Sequence, residues 1–256
     1  MKNSQTKQVA MQDFVSGKSI VITGGSSGFG LETARFLLER DATVTITGRN
    51  AQKLQAAAED LNHDNLLAVQ ADAVQTADWK KLVQQATERF KRIDVLINNH
   101  GAGVQVTDVE NLSDEVLSSI LDINLASVIK GCREVIPTMK ANGRGHIINV
   151  SSGCARHSWP SWGTYTAAKA GMVAFTKCLH LEMAAWGGKA TSFVPGAART
   201  SFCNAAGIEE SWLEGYPTST DFARTIVHCV DVPDNTFIEE VNIWGTKQIP
   251  EMVNPF

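Results

Sequence analysis

"SIVITGGSSGFGLETARFLLER", residues 19–40, decides how this chain folds. Its first residues are apolar or β-branched and run into a cluster of glycines, the signature of a buried strand closed by a turn. Beyond "TGGSSGFG" (23–30), Leu31, Ala34, Leu37 and Leu38 fall on one helical stripe. Strand, glycine turn and helix together open a βαβ unit. Glycines remove Cβ where backbone must bend tightly or approach a ligand. The helix behind them offers free N–H groups and a positive dipole end, which suits a pyrophosphate. The spacing is GxxxGxG and not GxGxxG, and a plain glycine-rich turn has the same local look.

Outward from this unit, apolar runs and helical patterns keep alternating. Strands are expected at 43–48, 65–71, 93–99, 146–152, near 190–195 and at 236–243. Helices are expected at 51–61, around 76–90, through a long region 113–141, at 163–186 and at 219–230. Such alternation implies parallel strands with right-handed crossovers and helices on both faces. We read one α/β domain over 16–256, doubly wound and Rossmann-type, with a mainly parallel sheet of about seven strands. Residues 1–15 form a flexible arm, since termini order poorly unless docked. A loop rich in glycine and aromatics spans about 200–217.

Composition narrows the function. Net charge is −4 with no basic stripe, which speaks against a nucleic-acid partner. Five scattered cysteines without CxxC argue against a disulfide framework or a thiolate zinc site, and no HExxH occurs, so no metal is expected. No apolar run is long enough for a membrane span, and the N-terminus lacks the apolar core of a secretory signal. A reducing cytoplasm is the default expectation.

The second strand ends "TITGRN". An acid there would bind the ribose hydroxyl of NAD, whereas an arginine accommodates the 2′-phosphate of NADP. Arg49 stands at that place, so NADP is expected, with NAD the alternative; a surface arginine opening the next helix is the plainer reading. Asp72, just past the third strand, either holds the adenine edge or caps a turn. In "WGTYTAAK" (162–169), Tyr165 and Lys169 are four apart and share a helical face. A free phenol titrates near ~10. A neighbouring ammonium lowers that pKa and makes the phenol an acid toward a carbonyl or a base toward an alcohol. Taken alone, the pair is equally compatible with a solvated helix surface.

Six motifs in order, "TGGSSGFG", "NNHG" (98–101), Asn124 in "LDINLAS", "NVSS" (149–152), "YTAAK" (165–169) and "PGAART" (195–200), give the chain its identity as a type. It resembles the short-chain dehydrogenase/reductase family from about residue 16 to 245. The resemblance implies that Tyr165 is the acid/base and that Lys169 lowers its pKa and binds the nicotinamide ribose. It implies that Ser152, with Ser151 as rival, polarises the substrate oxygen, and that Asn124 anchors a proton-relay water. Gly24, Gly28, Phe29 and Gly30 would line the pyrophosphate, with Ser26 adding a hydroxyl to the 2′-phosphate. Asn98 would support the cofactor from the fourth strand, and Pro195 and Thr200 would border the nicotinamide end. The family's pocket walls fall at 153–164 and after Thr200, which brings in Cys154, Trp159, Trp162, Phe202 and Trp212. A hydrophobic, aromatic-tolerant ketone or alcohol is therefore expected. Arg156 and His157 either hold an anionic substituent or lie on the surface. Family membership also implies a homo-oligomer, dimer or tetramer, through the long helices. A catalytically silent dinucleotide-binding sensor or scaffold is the rival function.

Two departures from the family pattern stand out. His100 replaces the alanine of the usual NNAG, and Thr191 occupies a position where asparagine is common.

Overall fold

The computed structural model describes residues 12–101, 107–200 and 213–248. Seven parallel strands form one sheet: β1 (Ser19–Thr23), β2 (Thr43–Gly48), β3 (Leu66–Gln70), β4 (Val95–Asn98), β5 (Gly145–Val150), β6 (Gly188–Pro195) and β7 (Glu240–Ile243). Their order is β3-β2-β1-β4-β5-β6-β7. The chain therefore winds one way from β1 to β3, then crosses back to β4 and winds the other way. Ligands of such sheets bind beyond the strand C-termini where the winding reverses, here between β1 and β4. The helices are α1 (Gly28–Leu38), α2 (Ala51–Leu61), α3 (Thr76–Phe90), α4 (Asp114–Leu121), α5 (Ser127–Ala141), α6 (Gly163–Ala184) and α7 (Ser219–Val230).

Successive side chains of a strand point to opposite faces, and β1, β4 and β5 carry apolar residues on both. Ile20, Ile22, Val44, Ile46, Ile97 and Ile148 meet α1, α2 and α7 on one side. Val21, Leu96 and Ile147 meet α3, α5 and α6 on the other, around Trp79, Met139 and Met172. Two such layers make the sheet rigid, so groups at its C-terminal edge are held in fixed positions.

Three departures from expectation have local causes. Asp13, Phe14 and Val15, counted in the flexible arm, are docked. Arg40 bridges Asp13 and Asp231 at 2.7 Å each, Phe14 N–H donates to Asp231, and Val15 is fully buried. Residues 1–11 lie outside the described residues. The long helix 113–141 is two helices joined by a π turn at Asp122–Ala126. The last strand begins at Glu240, because Lys189 takes up the carbonyls of Pro233 and Thr236, and Thr191 takes up that of Ile238. Thr191 also pairs with His146 at 2.8 Å, so this departure from the family pattern serves strand packing. No helix of the described residues is long and apolar enough to cross a membrane.

Candidate active site

The glycine turn sits at the C-terminal end of β1 and is built by its glycines in different ways. Gly24 has φ +66° and lies against His100, whose Cα would be 3.1 Å from any Cβ placed there. At Gly25 a Cβ would meet Ile46 at 2.6 Å, and at Gly30 it would meet the Asn99 amide at 2.6 Å. These positions let the turn seat on β2 and β4. Gly28, at φ +56°, has nothing within 4 Å of its would-be Cβ, so this side of the turn is open. Ser27 gives α1 no side-chain cap. The first N–H groups of an uncapped helix have no partner within the helix and favour an anion. The turn therefore fits a dinucleotide pyrophosphate.

Phe29, expected on that pyrophosphate, has its ring 4.8 Å from Phe222 in the α1–α7 packing, so only its backbone faces the turn. Ser26 Oγ lies 3.0 Å from where a Gly48 Cβ would be, at the end of β2. Arg49 follows it and is exposed. Asp72 sits past β3, where one carboxylate oxygen accepts from Val74 N–H in a turn. Asn98 is fully buried, and its amide donates to Asn149 Oδ1 of β5 at 2.8 Å and meets Cys132 Sγ of α5. The side chain that holds the turn from β4 is Asn99, which donates to the carbonyls of Thr23 and Gly24 at 3.1 Å each. The doubled asparagine of "NNHG" was the available signal, and the register of β4 decides between its members.

His100 is also structural. Nδ1 is 2.6 Å from Thr23 Oγ1 and Nε2 is 2.7 Å from Ser127 Oγ. Ser127 in turn donates to Ile123 O at 2.8 Å. The imidazole thus ties the end of β1 to the π turn. Burial, with lesser contributions from Lys169 and Arg49, pushes its pKa down to about 3, so it is neutral.

The π turn places Asn124, fully buried, with Nδ2 donating to Ile120 O at 3.0 Å. A Cβ at Gly101 would be 3.2 Å from Asn124 Oδ1 and 3.5 Å from Lys169 Nζ, so both polar heads converge beneath Gly101. Lys169 donates to Val150 O at 3.0 Å and is almost wholly buried. Burial lowers its pKa to about 8, with a small opposing effect from Cys154. Its Nζ lies 5.8 Å from the Tyr165 ring centroid, one helical turn back.

The two serines separate cleanly. Ser151 Oγ is buried and donates to Lys169 O at 2.8 Å, which fixes α6 against β5. Ser152 is half-buried, and its oxygen accepts from Cys154 N–H at 3.2 Å, leaving its own O–H to donate. Cys154, Tyr165 and Ile120 form an apolar cluster with Val116 and Trp162, whose indole is perpendicular to the Tyr165 ring at 5.9 Å. Trp159 is 37% exposed. Arg156, considered for an anionic substituent, is paired with Glu240 of β7. His157 packs edge-on against Trp244 at 5.3 Å. Pro195 ends β6 and is buried, and Thr200 is half-buried beyond it. Phe202 and Trp212 lie outside the described residues.

Comparison with known proteins agrees with this fold. A family model described as short chain dehydrogenase matches residues 18–210. An uncharacterized oxidoreductase of Staphylococcus saprophyticus is 30% identical over 243 residues, covering 91% of this chain and 98% of that protein. The 3-oxoacyl-[acyl-carrier-protein] reductase FabG of Chlamydia pneumoniae is 32% identical over 217 residues, covering 81% and 87%. Among solved structures, the 3-ketoacyl-(acyl-carrier-protein) reductase from Brucella melitensis complexed with NADH superposes with a TM-score of 0.84 at 27% identity, covering 91% of this chain and 99% of that one. The closed form of serine dehydrogenase complexed with NADP+ reaches 0.84 at 24% identity, covering 90% and 96%, a likeness of fold.

Proposed function

Since this chain belongs to the short-chain dehydrogenase family and is an oxidoreductase of that type, we propose that it interconverts a small hydrophobic ketone, aromatic ones included, and its alcohol with NADP(H). The observation that carries the reading is the place of Lys169 Nζ, 5.8 Å from the Tyr165 ring and beneath Gly101 with Asn124 Oδ1, while Ser152 accepts from Cys154 N–H of the cluster around Tyr165. When bound, the nicotinamide supplies or accepts the hydride. Ser152 holds the substrate oxygen by its free O–H. Tyr165 gives a proton to that oxygen in reduction or takes one in oxidation. Lys169 favours the phenolate and, with Asn124, opens a path for protons toward solvent. Arg49 and Ser26, together at the end of β2, suit a 2′-phosphate, since guanidinium–phosphate bonds are charge-assisted. Asp72 would take the adenine edge, and Pro195 and Thr200 the nicotinamide end. The apolar cluster of Val116, Ile120, Cys154 and Trp162 around Tyr165 supports the hydrophobic substrate class.

Self-association as a dimer or tetramer accompanies this reading. Ile129 of α5 and Leu181 of α6, 39% and 74% exposed, present apolar side chains on the long helices. Light scattering reads the mass directly.

The test is a panel of ketones and alcohols assayed with both cofactors by nicotinamide absorbance, with Tyr165→Phe beside the native chain. The variant is expected to bind cofactor and lose nearly all turnover, by a factor on the order of 10²–10⁴ for loss of acid/base catalysis. Unchanged turnover in Tyr165→Phe refutes the mechanism, whereas cofactor binding without any native turnover favours the silent dinucleotide-binding reading.

A further inference from the structure

Beyond β7 the chain does not leave the sheet. Gly196 N–H donates to Ile243 O at 2.8 Å, and Gln248 Nε2 donates to Ala197 O while its Oε1 accepts from Gly245 N–H. Residues 244–248 thus close over the loop that follows β6.

Trp244 sits between that loop and the loop that follows β5. A Cβ on Gly153 would collide with Cη2 and lie 2.8 Å from Cζ2 and 2.9 Å from Cζ3 of the indole. A Cβ on Gly196 would lie 2.5 Å from Cε3 and 3.1 Å from Cδ2. One edge of the ring therefore abuts Gly153 and another abuts Gly196. Neither glycine is among the described residues at positive φ, so the backbone does not demand glycine there. The indole does: it is half-buried, with two edges of its six-membered ring set against the two glycines. Gly153 directly follows Ser152, and Gly196 directly follows Pro195. The same loop is tied to this end of the sheet twice more, by His157 edge-on to Trp244 and by Arg156 paired with Glu240.

We propose that Trp244 is a positioning residue: a wedge that fixes the loop bearing Ser152 against the loop after β6, and so sets where the Ser152 hydroxyl stands. This rests on the reading that Ser152 holds the substrate oxygen. Side chains that orient a reacting group matter because a misplacement of about 1 Å can cost about 100-fold in rate.

The experiment is a double-mutant cycle of Gly153→Ala and Trp244→Ala, with Trp244→Phe as the conservative variant. Trp244→Ala is expected to lower kcat per cofactor-binding site by about tenfold or more, with cofactor Kd held within about twofold. The pH dependence of turnover stays in place, because Tyr165 and Lys169 are untouched. Trp244→Phe recovers most of the loss. Gly153→Ala is costly beside Trp244 and costs little in the Trp244→Ala chain, where the space is free. Equal cost of Gly153→Ala in both chains overturns the proposal, as does a Trp244→Ala chain with native kcat. Thermal melting of the same four proteins reads the wedge without turnover, and additive shifts overturn it. Absence of any native turnover on the panel instead removes the chemical reading, and the positioning role with it.

Discussion

At the scale of single residues, the site is governed by two buried bases. Lys169 is held down to about 8 by burial, below the usual lysine value of ~10.4. In the proposed mechanism its help to a Tyr165 phenolate is complete below that value and is lost as pH rises through it. The kcat/KM of carbonyl reduction is therefore expected to decline through a single ionisation near 8, and a profile flat to about 10 contradicts this assignment. His100 is held to about 3, below the usual ~6.5. Between those values the unfolded chain takes a proton that the native chain refuses. Stability is full above the unfolded value and falls as pH drops through the window, by up to about 1.4 kcal/mol per pH unit for one group. His146, buried and likewise lowered, adds to the slope. Urea unfolding across this range should show a shallower slope for His100→Gln, and an unchanged slope is the contrary result. The motif in the sequence made His100 conspicuous but not intelligible. Its meaning depends on Thr23 and Ser127, which only the folded chain brings to either side of the ring.

At the scale of elements, boundaries were legible wherever local chemistry sets them. Helix 51–61 begins at Asn50, whose side chain accepts from Lys53 N–H, and helix 219–230 begins at the reciprocal Thr218–Asp221 capping box. The break in 113–141 was less legible. Apolar periodicity continues through the π turn at Asp122–Ala126, so the pattern alone does not show it. Contacts between elements were not legible at all. Gly131 in α5 looks like a weak point of a helix, where alanine gains up to about 1 kcal/mol from propensity. Yet a Cβ there would stand 2.5 Å from Cζ2 of Trp79, which is buried and held by its indole bond to Ala73 O. Overpacking costs about 1–3 kcal/mol and outweighs the gain. Gly131→Ala is expected to lower the urea midpoint with the denaturant slope unchanged, and a raised midpoint means that α3 can shift.

At the scale of the whole molecule, alternation of strand and helix was enough to reach the sheet, because right-handed parallel crossovers leave few topologies open. The same topology explains why cofactor choice was approachable from sequence. The winding reverses between β1 and β4, so the adenosine end of a dinucleotide lies toward β2, and the residues after β2 meet its ribose. The protein carries net charge −4, so a 2′-phosphate is drawn to this corner only by local groups. Those groups are Arg49, exposed to solvent, and the neutral Ser26 hydroxyl. An exposed guanidinium is screened by salt, which makes the contribution of Arg49 sensitive to ionic strength. NADP affinity should accordingly fall with added salt more steeply than NAD affinity. Arg49→Asp removes the attraction and places a carboxylate where a ribose hydroxyl can use it. It should reverse the NADP-over-NAD ratio of kcat/KM, by on the order of tenfold to a hundredfold, since a charge-assisted bond contributes about 1.5–3 kcal/mol. The kcat with saturating cofactor should hold, because Arg49 is remote from Tyr165. A native chain that already prefers NAD overturns the reading of Arg49, and a variant whose ratio does not move places the 2′-phosphate contact elsewhere on the turn.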